Sequence, residues 1–252
     1  MRNPFNLASR TVLVTGGSRG IGLELVRQLL ARGACVLATA RDITPLDDLA
    51  QAHPGRLDAF AADLGRTEGV RALADWVATR HPDCSVLINN AAIMLHQQLA
   101  AAPPAYLDEI ARETAVNLVA PAQLATTLLP LLARHPSAAI VNVTSGLAVA
   151  PKKDAPVYCA TKAGLRSFTR ALRDQCHAAN RRILVSDVVM TLVDTGLSRP
   201  SAARKYPPAR AAADLLRGVE AGRKEIWVEK ARLLRIVHRI SPAFAYRLLR
   251  SR

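Results

Sequence analysis

The run Thr11-Val12-Leu13-Val14-Thr15 passes straight into a glycine-rich stretch, Gly16-Gly17-Ser18-Arg19-Gly20-Ile21-Gly22. Leu23 to Ala31 then carries helical patterning, with Leu25, Val26, Leu29 and Leu30 apolar. A strand that enters a helix through glycines restricts the fold to βα units and makes the turn a dinucleotide-site candidate. Gly16 permits a tight turn, Gly20 lets the backbone approach a pyrophosphate, and Gly22 allows close packing of helix on strand. Free N–H groups at the start of the helix, with the positive end of its dipole, suit phosphate.

The same alternation continues along the 252 residues. Strand-like runs recur at Cys35 to Thr39, Leu57 to Ala61, Val86 to Ile88, Ala139 to Val143, Ile183 to Val189 and Glu225 to Val228. Helical patterns lie between them at Gly69 to Thr79, Leu107 to Leu132, Val157 to Ala178 and Ala209 to Ala221. Strands alternating with helices predict a parallel α/β sheet covered on both faces, and near-continuous apolar strands fit burial of both faces. No repeat or linker marks a second domain. The polar stretch Ser198 to Lys205, followed by Pro207-Pro208, reads as a mobile loop.

Half the residues are hydrophobic, which argues against disorder. No apolar run reaches the ~18 residues of a spanning helix, and the N-terminus lacks the core of a signal peptide. Cys35, Cys84, Cys159 and Cys176 show no Cys-x-x-Cys spacing, so the expectation is reduced thiols, a cytoplasmic setting and no metal site. Cys159 reads as a space-filling residue. The net charge is +14, and Lys230 to Arg252 contributes seven Lys/Arg with no Asp or Glu. With few aromatics and no nucleic-acid module, this charge is better matched to an anionic cofactor, substrate or surface than to nucleic acid.

Tyr158 and Lys162 sit four apart in Tyr-Cys-Ala-Thr-Lys, a spacing that stacks both on one helix face. A phenol titrates near ~10 when unperturbed, and a cation within ~4–6 Å lowers that by about 1–3 units. The pair is therefore a candidate general acid/base, with Lys162 expected to lower the Tyr158 pKa.

The glycine spacing, Asn89-Asn90-Ala91, Ser145 and Tyr158-x-x-x-Lys162 together resemble the short-chain dehydrogenase/reductase family in its compact form, over Arg10 to Val228. The resemblance implies a Rossmann-like doubly wound parallel sheet in one domain. It also implies hydride transfer between a nicotinamide cofactor and a carbonyl or alcohol substrate, and a homodimer built on the helices around Leu118–Leu132 and Tyr158–Arg173. Ser145, Tyr158 and Lys162 become the catalytic group, with Asn117 as a fourth member that organises a relay water; a buried structural asparagine is the competing reading. Lys162 would also bond the nicotinamide ribose. Gly16, Ser18, Arg19, Gly20, Ile21, Gly22, Asp63, Leu64, Asn89, Ala91, Val193 and Thr195 are the expected cofactor neighbours, Asp63 alternatively serving as a turn or helix cap. The second strand ends in Ala40-Arg41 rather than an acid, and two guanidiniums, Arg19 and Arg41, suit the 2′-phosphate of NADP(H) over NAD(H), although Asp42 could oppose it or pair with Arg41. Met94, Leu95, Leu147, Val149 and Leu197 are candidates for an apolar pocket. A protein that binds NADP(H) without catalysis is the alternative function.

Two features depart from the family. Met190-Thr191 stands where Pro-Gly is usual, which bears on the loop over the nicotinamide. Residues 231–252 form a basic extension beyond a domain of residues 1–230. Its Leu233, Leu234, Val237 and Ile240 are expected on one helical face, either packed on the protein's own body or a dimer partner, or lying on anionic lipid.

Overall fold

Thr11–Thr15 forms β1, at the middle of a parallel sheet, and its register pairs Val12 with Val36 on one side and Val86 on the other. Those partners belong to β2 (Cys35–Ala40) and β4 (Cys84–Asn89). Outside them lie β3 (Leu57–Ala61) on one flank and β5 (Ala138–Ser145), β6 (Ile183–Met190) and β7 (Glu225–Trp227) on the other. The order is β3-β2-β1-β4-β5-β6-β7. This computed structural model describes residues 5–100, 106–179, 181–197 and 205–250. Most of the expected Ser198 to Lys205 loop falls outside the described residues.

Residue-by-residue alternation on β1 sorts the core into two layers. Val12 and Val14 pack with Leu25, Val26 and Leu29 of α1 (Gly20–Ala31) and with Leu215, Leu216 and Val219 of α7 (Pro208–Glu220). Leu13 faces the other way, toward Leu73 and Val77 of α3 (Thr67–Arg80), Leu124 and Leu128 of α5 (Ala120–Leu132), and Leu172 of α6 (Pro156–Ala178). A short α2 (Asp47–Ala52) precedes β3. Each fully buried Leu or Val contributes about 1.5–3 kcal/mol, so a core covering both faces also holds the strand ends in place. The chain runs outward from β1 in both directions, and the crevice at such a reversal lies beyond the C-terminal ends of the strands.

The expected helix from Leu107 to Leu132 is continuous, with α4 (Leu107–Thr114) joined to α5 by a π-helical turn at Ala115–Val119. By length and apolarity this is the one span-like helix among the described residues, in contrast to the expectation from the bare sequence. Half of its most apolar window is buried inside the protein, and α5 packs on the sheet and on α3, as a core helix does.

The basic extension forms α8 (Ala231–Ile240) and α9 (Pro242–Leu249), separated at Ser241, whose hydroxyl caps α9 by accepting from Phe244 N at 3.2 Å. Leu234, Val237, Ala245 and Leu249 pack with Ala150 into a small cluster of their own. The shared face expected of α8 is split. Leu233 and Ile240 are 62% and 80% exposed. They lie seven apart on one stripe, centred about 80° around the helix from the inward stripe of Leu234 and Val237.

Candidate active site

Two glycines keep the first turn low enough for a ligand. Gly16 has φ +67°, and a Cβ on it would meet Ala91 Cα at 2.9 Å. A Cβ on Gly22 would fall 1.8 Å from the Gly16 carbonyl oxygen, so the start of α1 can approach the end of β1 only with glycine there. Asn90 ties the turn to β4, its Nδ2 donating to Thr15 O at 2.9 Å. The resulting cleft, about 1220 Å³, is lined near the turn by Gly16, Ser18, Arg19, Gly20, Ile21 and Gly22, and further along by Arg41, Asp63, Leu64 and Ala91. Val193 and Thr195 close it from the loop after β6. A flat glycine cradle at a helix N-terminus, two guanidiniums and a cleft of this length fit a nicotinamide dinucleotide.

Asn89 is the exception among the expected cofactor neighbours. Its side chain turns into the protein, where Nδ2 donates to Asn142 Oδ1 at 2.8 Å, and Asn90 takes the place on the cleft. Asp63 does two things at once: Oδ1 accepts from Gly65 N at 2.9 Å as a turn cap, and the carboxylate pairs with Arg112 at 3.2 Å while lining the cleft. Those donors, led by the Gly65 N–H, hold its pKa below the usual carboxylate range. Asp42 is occupied as well, accepting from Thr44 N at 3.0 Å.

Ser145, Tyr158 and Lys162 line the same cleft. Ser145 ends β5 and its Oγ accepts from Leu147 N at 3.1 Å. Tyr158 and Lys162 share the inner face of α6, both buried, with Lys162 Nζ 5.9 Å from the phenol ring centre. The pKa expectation requires correction. Lys162 Nζ donates to the Val143 carbonyl at 2.8 Å, and burial is the largest influence on both groups. Desolvation pushes the Tyr158 phenol up, against a smaller opposing pull from its hydrogen bond with Ser145. Burial likewise pushes the Lys162 amine down to about 8, with Asp187 and Glu113 acting the other way.

Asn117 lies in the π-helical turn, fully buried. Its Oδ1 accepts from Ile93 N at 2.9 Å, and its Nδ2 donates to Ile93 O at 2.8 Å and to Thr161 Oγ1 at 3.3 Å. Both amide hydrogens are thus committed to protein groups.

Glu113 escaped the sequence reading. It is fully buried one helical turn before Asn117, with Oε1 accepting from Leu95 N at 3.0 Å and Oε2 without a partner among the described residues. Burial raises its carboxyl pKa, and its charge is felt by Tyr158, Lys162 and Cys159. The available signal was the i, i+4 spacing to Asn117. Of the expected pocket residues, Met94, Leu147 and Leu197 line the cleft, whereas Leu95 and Val149 do not. Cys159 is buried, its thiol pushed up by burial and its Sγ accepting from Lys152 N at 3.3 Å. Where the family has Pro-Gly, Thr191 Oγ1 donates to Glu229 at 3.1 Å and Tyr206 bridges to Val193, so side-chain and strand-like contacts hold the turn.

Comparison with known proteins agrees with this geometry. The profile of the short chain dehydrogenase family matches residues 10–205. The uncharacterized oxidoreductase DltE of Bacillus subtilis is 34% identical over 237 residues, 92% of each chain. Human L-xylulose reductase is 35% identical over 199 residues, 77% of this chain and 75% of that one. A short-chain dehydrogenase from Burkholderia cenocepacia, solved in complex with NADP, superposes with a TM-score of 0.85 over 97% of this chain and 99% of that one, at 26% identity.

Proposed function

This chain belongs to the short-chain dehydrogenase/reductase family of NAD(P)-dependent oxidoreductases acting on CH–OH and carbonyl groups, and from that premise we propose an NADP(H)-dependent carbonyl reductase with Tyr158 as its general acid/base. The observation that carries the reading is the meeting of Ser145, Tyr158 and Lys162 in the cleft that begins at the glycine turn.

The bound dinucleotide supplies or accepts the hydride. Ser145 Oγ holds the substrate oxygen, and Tyr158 Oη gives that oxygen a proton as it gains charge, or removes one in the oxidative direction. Lys162, which donates to the Val143 carbonyl, would bond the nicotinamide ribose, and its ammonium would then favour the phenolate of Tyr158. Asn117 is assigned the positioning of the Ile93 wall, through its two side-chain hydrogen bonds. Arg19 and Arg41 would hold a 2′-phosphate, which supports NADP(H) over NAD(H).

Residues 1–230 are assigned the catalytic domain, working in the cytoplasm as a homodimer through α5 and α6. Residues 231–252 are assigned peripheral contact with anionic membrane. Tyr158→Phe tests the chemical assignment: it should fold and bind NADPH with unchanged affinity while losing turnover by about 10³-fold or more. Near-normal turnover would refute it.

A further inference from the structure

The two C-terminal helices wall the reaction cleft. Leu234 and Val237 of α8 and Leu249 of α9 line the same cavity as Ser145 and Tyr158. Leu192, Leu233 and Leu248 line it too and are exposed, so they mark its mouth. The apolar surface does not stop there. Ile236, Ile240, Phe244 and Tyr246 continue it outward, and six of the nine large exposed apolar residues among those described lie on α8 and α9.

Beside this apolar surface is a hollow of about 480 Å³ lined by Trp227, Arg232, Arg235, Ile236, Arg239 and Ile240. Arg232 Nε donates to the Trp227 carbonyl at 2.9 Å, and the Arg235 guanidinium lies 5.6 Å from a Trp227 ring centre. Among the described residues none of these three arginines pairs with a carboxylate. The extension itself holds no acid. A second copy pressed on this face would set arginine against arginine. An anionic bilayer satisfies both halves of the surface, since apolar side chains enter the acyl boundary while guanidiniums meet phosphates.

We infer that α8 and α9 rest on an anionic bilayer and that the substrate is a carbonyl or alcohol on a long apolar chain, which enters from the lipid between Leu233 and Leu248. This deepens the oxidoreductase reading and rests on it. The carbonyl stops at Tyr158, and its chain lies along Leu234, Val237 and Leu249 back toward the mouth. A short polar carbonyl would leave that wall uncovered.

The test uses the full chain with NADPH and straight-chain aldehydes from four to fourteen carbons, with vesicles of phosphatidylcholine alone or with phosphatidylglycerol. Activity on each aldehyde is read as kcat/KM, and attachment as co-sedimentation. The expectation is a rise of about threefold per methylene until the wall is covered, and a further gain of several-fold for the long aldehydes only with anionic vesicles. Ile236→Ser/Ile240→Ser, which leaves the cleft lining intact, should keep turnover of butanal, lose co-sedimentation and lose the vesicle gain. A flat chain-length profile overturns the inference, as does equal rate with and without anionic lipid. A dimer that the double variant converts to monomer, with no vesicle binding by the parent, overturns it in favour of a second copy. If every aldehyde fails while NADPH and anionic vesicles still bind, the oxidoreductase reading itself falls and takes the substrate route with it.

Discussion

Asn117 and Ile93 exchange two hydrogen bonds, amide to backbone, at 2.9 and 2.8 Å. The exchange fastens the segment after β4, which lines the cleft, to the π-helical turn between α4 and α5. Asn117→Ala leaves the Ile93 N–H and C=O without these partners in a half-buried setting. We expect a loss of roughly 2–4 kcal/mol in urea unfolding, together with a fall in kcat/KM as the Ile93 wall loosens. A variant of unchanged stability would show that the clamp is dispensable.

Glu113 places a carboxyl, with one oxygen unpartnered among the described residues, close enough to Tyr158 for its charge to add to burial, the larger cause, in raising the phenol. Glu113→Gln keeps an acceptor for Leu95 N and removes the charge. Alcohol oxidation, which needs the phenolate, should then reach half its maximal rate at lower pH than in the parent. Stability carries a second signature. The Glu113 pKa is raised in the folded protein, so its contribution is full below the unfolded value and is lost as pH rises through the folded one. The parent should lose stability over that interval and the glutamine variant should not, as read by denaturant midpoints from pH 4.5 upward.

Lys162 gives the opposite slope. Its amine is pushed down to about 8 by burial, from 10.5, so between those values the unfolded chain binds more protons than the folded one. Stability therefore rises with pH across that window, before Tyr158, whose phenol is raised, reverses the trend above 10. Comparing Lys162→Met with the parent at pH 7 and 9.5 isolates the effect: the parent should gain on the variant as pH rises. Parallel unfolding curves at both pH values would mean that the amine titrates as if exposed.

Local patterns carried most of the fold. The runs at Leu57–Ala61 and Ile183–Val189 became β3 and β6 with at most one residue added, because period and apolarity are properties of neighbours in sequence. The glycine turn was equally legible, since a Cβ at Gly22 has nowhere to go. What stayed hidden depended on partners far along the chain. Asn89 and Asn90 are indistinguishable until the strand ends between them, turning one toward Asn142 and the other onto the cleft. Glu113 reads as a surface residue until the segment around Leu95 covers it. The amphipathic pattern of α8 could not say which of two adjacent apolar stripes would meet the body, and Leu234 is buried while Leu233 stays exposed at the mouth of the cleft. The tuning of Tyr158 was misjudged for the same reason: spacing shows that the amine is near, while burial, which sets the sign, comes from the whole fold.

Arg41 follows the last residue of β2 at the cleft, and the acid beside it is already engaged, because Asp42 Oδ1 accepts from Thr44 N at 3.0 Å and closes a local turn. With Oδ1 held in that turn and no ion pair between Asp42 and Arg41 among the described residues, the guanidinium is left facing the cleft, where a phosphate can meet it. Arg41→Ala should raise the Kd for NADPH by about 10-fold or more, a loss of one charge-assisted pair, and leave that for NADH within about twofold. Arg41→Asp should go further and favour NADH, by repelling the 2′-phosphate and offering an acceptor to the hydroxyls. Fluorescence titration of both reduced cofactors against the parent and the two variants reads the split directly. Equal losses for the two cofactors would place Arg41 on a feature they share, and NADP(H) selectivity would have to come from Arg19 alone.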